Sequence, residues 1–220
     1  MNLTRSKSNE DRLVINKLLG DNHILIPDAD ELAPAEKIKL IEKKFRDIML
    51  ILGLDLTDDS LKDTPLRVAK MYVNETFSGL LPENEPSITL FDNKYNYSEM
   101  LIEKNIPVYS CCEHHFVPII GKAHIGYISG GKVIGLSKLN RIVHYFAKRP
   151  QVQERLTVQV AEYLKEALGT ENVAVMMEAE HLCVASRGVR DVGSSTITSS
   201  YHGQFLDPVK RNEFNLQIKH

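Results

Sequence analysis

The sequence predicts an α+β protein, and three observations predict it. Apolar residues recur at three- and four-residue steps between residues 38 and 77, then alternate from about residue 106, so the period changes from helix-like to strand-like. Two more helical runs, near 137–149 and 152–168, interrupt the alternating part, and Gly169 ends the second. Strands, two helices and strands again is the order of an α+β domain with mostly antiparallel pairing.

Residues 1–33 are a weakly patterned, polar extension. From Pro34, the residues Ile38, Ile41, Phe45, Ile48, Met49 and Leu52 mark one helix face, and Gly53 stops it. Asp58, Asp59 and Ser60 form a polar break. Thr64-Pro65 reads as an N-cap followed by Pro at the first helical position, for a helix running to about Phe77 with Ser78-Gly79 as its stop. The run Pro82-Glu83-Asn84-Glu85-Pro86 is a linker by composition, dividing a helical region, 34–97, from a second unit, 98–220.

In that second unit, 106–111 and 117–128 read as strands, with a turn at Ser129-Gly130-Gly131 and a short return strand at 132–135. Leu139, Ile142, Val143 and Phe146 line one face of the first helix; Val152, Leu156, Val160 and Leu164 line the second. Val173, Val175 and Met177 alternate as a strand; the chain continues through 181–186, turns, and forms a Ser/Thr-rich strand near 194–201.

Composition narrows the function class. The net charge of −2, from 27 basic and 29 acidic residues, argues against a nucleic-acid binder. No apolar run approaches the roughly 20 residues of a membrane span, and the first residues lack a secretory pattern, so the cytoplasm is the expected compartment. Three Cys, two of them adjacent, make a poor disulfide framework and suggest metal binding or catalysis instead.

Cys112 and His115 are three residues apart, a spacing from which one turn aims both at a single ion. His181-Leu182-Cys183, read as a strand, places His181 and Cys183 on one face, with Cys183 as third ligand and His181 beside the metal. Zinc accepts thiolate and imidazole tetrahedrally, and three protein ligands with one open position is the catalytic rather than the structural arrangement. Such a site activates water near neutral pH, and His114 and His181 would move protons beside it. Cys111 is left out, because two adjacent sulfurs do not easily reach one ion from the same turn. The competing reading makes Cys112 and Cys183 small buried apolar residues, and His114, His115 and His181 ordinary polar ones.

Longer motifs now resemble a known family. Ser110-Cys111-Cys112-Glu113-His114-His115-Phe116-Val117-Pro118, His124-Ile125-Gly126-Tyr127-Ile128 and Val133-Ile134-Gly135-Leu136-Ser137-Lys138-Leu139-Asn140-Arg141-Ile142-Val143 are similar to GTP cyclohydrolase I. So are Arg149-Pro150-Gln151-Val152-Gln153-Glu154-Arg155-Leu156-Thr157, Glu178-Ala179-Glu180-His181-Leu182-Cys183, Arg187-Gly188-Val189-Arg190 and Asp63-Thr64-Pro65-Leu66-Arg67-Val68-Ala69. The resemblance spans roughly residues 35–205, and its specificity comes from several long motifs in the right order. Cys111 departs from it, where a non-thiol residue is expected.

The resemblance implies a tunnelling fold, with an antiparallel four-stranded sheet and two helices on one face, in a toroidal homodecamer with sites between subunits. It implies conversion of GTP and water to 7,8-dihydroneopterin triphosphate and formate, the first step toward folates and other pterins. It implies Zn2+ on Cys112, His115 and Cys183, with His114 and His181 in proton transfer while the purine imidazole ring opens. The triphosphate would meet Lys138, Arg141, Arg187 and Arg67, some from neighbouring subunits. Ser137 and Lys138 also open a helix, where free N–H groups favour phosphate. Glu154, with Gln153 nearby, would accept the guanine N1–H and N2–H2 donors, which adenine lacks. The bland alternatives are solvated Lys and Arg side chains and a Glu154 paired along its own helix.

Two readings compete with this one. A zinc-stabilised interaction module predicts a fourth protein ligand. Other tunnelling-fold enzymes use His-only zinc or a nucleophilic Cys, against which the joint Cys-x-x-His, His-x-Cys and Gln-Val-Gln-Glu-Arg pattern argues.

Overall fold

A five-stranded sheet organises the second half of the chain. A computed structural model describes residues 32–219. Most of the polar extension expected over residues 1–33 lies outside the described residues. Helix α1 (Pro34–Ile51) leads to α2 (Thr64–Met71), which continues as a π-helical turn (Tyr72–Thr76). Asp63, rather than Thr64, occupies the N-cap position of α2, and its side chain makes no cap bond. The α1 face predicted from periodicity is only partly covered: Met49 is buried, while Ile48 and Leu52 are exposed.

Strands β1 (Leu90–Asp92), β2 (Met100–Cys112), β3 (Pro118–Ile128) and β4 (Lys132–Ile134) precede α3 (Leu136–Ala147). Then follow β5 (Pro150–Gln151), α4 (Gln153–Leu168), β6 (Val173–His181), the one-turn helix α5 (Leu182–Ala185), β7 (Thr196–Tyr201) and α6 (Pro208–Ile218). The sheet order is β5-β2-β3-β6-β7.

The expected four-stranded antiparallel sheet is therefore corrected to a five-stranded mixed one. β2, β3, β6 and β7 pair antiparallel, and β5 adds a parallel edge through Cys111↔Pro150 and Cys112↔Gln151. Two residues carry no periodicity, which is why β5 is invisible in the sequence. The return strand β4 pairs with β1, not with β3.

Both predicted helices, α3 and α4, pack on one sheet face. Leu139, Ile142, Val143, Phe146, Leu156, Val160 and Leu164 meet Ile106, Val108, Ile125, Tyr127, Val175 and Met177 there. The opposite face is covered at one end by Phe205 and by Phe214 of α6, against Met100, Ile128 and Ala174. Gly169 caps α4 with φ +62°, a conformation that glycine adopts without steric cost. Gly121 lets β3 lie flush on β6, because a Cβ there would overlap the Glu178 carbonyl and Ala179.

The helix stop at Gly79 and the segment read as a linker are both tied to the core. Gly79 N–H donates to Lys148 O at 2.9 Å, and the buried Arg149 donates from Nε to Gly79 O at 2.9 Å. Tyr163 O–H donates to Glu85 at 2.9 Å. Among the described residues, no helix is long and apolar enough to cross a membrane.

Candidate metal centre

β2 delivers Cys112 at its last residue, and the turn that follows delivers His115. Cys112 N–H donates to Val117 O and Phe116 N–H to Cys112 O, both at 2.8 Å, closing a tight loop between β2 and β3. Phe116 holds φ +53°, a left-handed value uncommon for a bulky residue. Its ring packs against Phe77 and Tyr72, with centroids at 5.1 and 6.3 Å, so the N-terminal helices brace the loop beside His115.

Cys183 arrives differently from the sequence reading. His181 ends β6 in register with Ile119, and the next partner along β3 would be Pro118, which has no N–H. The ladder stops and the backbone coils into α5, where Ser186 N–H donates to Leu182 O at 2.9 Å. Cys183 thus sits on a helical turn, and the same-face strand relation with His181 is corrected.

The ligand atoms of Cys112, His115 and Cys183 lie within 4.8 Å of one another. Cys112 Sγ is 3.8 Å from His115 Nδ1. Donors at about 2.0–2.3 Å from one tetrahedral ion are roughly 3.5–3.8 Å apart, so the triangle fits a zinc ion with little adjustment. Burial and then the Cys112 thiol push the Cys183 thiol up, so a shared cation relieves the cost of two neighbouring thiolates. Cys111, buried and beside Cys112, is pushed up to about 11 and stays a thiol at neutral pH.

Two further His flank the triangle. His114 Nδ1 lies 3.8 Å from Cys112 Sγ, and its ring is mostly exposed. His181 Nε2 lies 2.8 Å from Gln153 Oε1. Gln153 is buried, and its Nε2 donates to Met177 O, Thr196 O and Thr198 Oγ1 at 3.2, 2.9 and 3.1 Å. Those acceptors settle which way the amide points, so Oε1 accepts and His181 carries its proton on Nε2. Burial lowers the His181 pKa, and the nearby Glu154 carboxylate opposes the shift.

The remaining predicted residues divide into two groups. Glu154, exposed on the first turn of α4, and Arg187, exposed after α5, lie near enough that their charges act on His181 and Cys183. Arg67 is exposed on α2, 3.8 Å from Asp63 and little more than a turn before Tyr72. Ser137, Lys138 and Arg141 open α3 at the other end of the sheet. Lys138 Nζ donates to Ser87 Oγ at 3.1 Å, and Asn140 Nδ2 to Glu103 at 3.2 Å. Glu103 and Cys112 are nine residues apart on β2, about 30 Å of strand. One chain therefore does not bring Ser137, Lys138 and Arg141 to its own triangle.

Sequence reasoning gave no role to Arg155, Thr157 or Thr198. Thr157 and Thr198 hydroxyls lie 2.6 Å apart and help seat Gln153, whose carbonyl accepts from Thr157 at 2.8 Å. Arg155 pairs with Glu113. A carboxylate between two ligand candidates was the available signal for that pair.

Residues 41–219 match the GTP cyclohydrolase I family. The chain is 56% identical over 208 residues to GTP cyclohydrolase 1 of Flavobacterium johnsoniae, covering 91% of this chain and 93% of the relative. It is 54% identical over 182 residues to that of Vibrio cholerae, covering 82% and 84%, and 49% identical over 218 residues to that of Salmonella choleraesuis, covering 98% of each. With family match and relatives both spanning most of its length, the chain belongs to the GTP cyclohydrolase I family of enzymes.

Proposed function

We propose that this enzyme converts GTP and water to 7,8-dihydroneopterin triphosphate and formate in the cytoplasm, at the head of folate and pterin synthesis. The observation that carries the reading is the Cys112–His115–Cys183 triangle with His114 and His181 beside it. Zn2+ held there supplies a Lewis acid that activates water near neutral pH.

The chain's own residues do the rest. His181 keeps a proton on Nε2, held by Gln153, so Nδ1 is the atom that accepts and returns a proton as the purine imidazole ring opens. His114, mostly exposed beside Cys112, moves the second proton. Glu154 accepts N1–H and N2–H2 of guanine, and ATP leaves that carboxylate unpaired. Arg187 and Arg67 take the triphosphate end, together with Ser137, Lys138 and Arg141 of a neighbouring copy.

What supports a neighbouring copy is the placement of α3: Asn140 donates to Glu103, nine residues and roughly 30 Å of strand from Cys112 on β2. A homodecamer built on the tunnelling fold, with sites between subunits, satisfies that geometry. The alternative of a purely structural zinc module needs a fourth ligand, and among the described residues the group holds three.

The test is direct. Zinc-loaded protein incubated with GTP yields formate and, after oxidation, fluorescent neopterin, while ATP yields neither. Zinc bound at the triangle with no formate released overturns the reading.

A further inference from the structure

Glu113 stands between the proposed ligands Cys112 and His115, and its two carboxylate oxygens face different groups. Oε2 pairs with Arg155 Nη2, and Oε1 lies 3.9 Å from His114 Nε2. Arg155 is 14% exposed at its side chain, so this is not a solvated surface pair of the kind worth little.

The Arg155 guanidinium is itself fixed from the core side. Its Nε donates to Gln151 Oε1 at 2.9 Å, and Nη2 also donates to Pro150 O at 3.2 Å. Gln151 is buried, and its amide nitrogen donates to Phe146 O at 3.0 Å and Gln159 Oε1 at 2.8 Å. Only the amide oxygen is then available to Arg155. The turn backbone joins the same edge strand, with Glu113 N–H donating to Gln151 O at 3.1 Å. A planar fork with several fixed acceptors has one low-energy placement, which a lysine would not reproduce.

We propose that Arg155 and Glu113 form a positioning pair that holds the Cys112–His115 turn in its metal-binding shape. Neither residue belongs to the Cys112–His115–Cys183 triangle. The proposal rests on the zinc reading above, and its readout is metal affinity, which does not require GTP. Groups that orient metal ligands without binding metal typically set affinity by about 10- to 100-fold.

The experiment measures zinc affinity of the full chain by competition with a chromophoric chelator, for wild type, Arg155→Met, Glu113→Gln and the double variant. Visible absorption of the cobalt(II)-loaded proteins is recorded alongside. Each single variant is expected to bind zinc about 10-fold more weakly or worse and to show an altered cobalt spectrum. The double variant is expected to be no weaker than the worse single one. Arg155→Lys, which keeps charge and loses the fork, should recover only part of the affinity and guards against an unfolded Arg155→Met.

Unchanged affinity in Glu113→Gln overturns the proposal, as do losses that simply multiply in the double variant. A wild type that takes up no zinc overturns the metal reading instead. Wild-type zinc binding with no turnover of GTP overturns the catalytic reading and leaves the pair intact.

Discussion

His181 and Gln153 show how one side chain sets the chemistry of another. The amide is locked by two backbone carbonyls and a threonine hydroxyl, so the imidazole has one neutral tautomer open to it. His181→Ala should retain zinc at full stoichiometry while product formation falls by about 10²- to 10⁴-fold. Loss of zinc in that variant would make the residue a ligand rather than a proton carrier. Gln153→Leu removes the anchor and strands buried acceptors, at a cost of about 1–3 kcal/mol in stability. It should lower kcat with little change in KM for GTP; a raised KM at unchanged kcat would place Gln153 on the substrate. At this scale the sequence was legible for which side chains gather, since the ligand atoms of Cys112, His115 and Cys183 lie within 4.8 Å of one another. It was silent on Gln153's orientation, because the carbonyls that fix it lie 24 and 43 residues away.

Among elements, α3 and α4 were legible because their apolar stripes bury against one sheet face and Gly169 ends the second. α5 was not, because it forms where a ladder runs out of partners, and only pairing reveals that. α6 left a trace that went unread: Asp207-Pro208 is a cap followed by Pro, and Asp207 Oδ1 accepts from Val209 N–H at 2.7 Å. The contact between β3 and β6 depends on Gly121, where a Cβ would overlap backbone that has no room to retreat. Gly121→Ala should lower the melting temperature by several degrees, consistent with an overpacking cost of about 1–3 kcal/mol. An unchanged melting temperature would mean that the two strands separate freely at that point.

Over the whole molecule, protonation of buried and half-buried imidazoles contributes to acid sensitivity. Burial lowers the pKa of His124, His144 and His202 below the ordinary 6.5, reinforced by Lys122, Lys148 and Lys165 respectively. Below that pH the unfolded chain takes up protons that the folded chain refuses, so stability is full above about pH 6.5 and declines as pH falls. The urea midpoint should be lower at about pH 5.5 than at about pH 7.5, with the slope unchanged; equal midpoints would show these rings to be solvated. The placement of α3 beside Glu103, far along β2 from Cys112, bears on inheritance as much as on catalysis. If catalysis draws on two chains, a protein crippled at Cys112 and another crippled at Arg141 are each dead alone. Unfolded together and allowed to reassemble, they should regain activity at about one quarter of the shared pockets, where chance pairs an intact half from each.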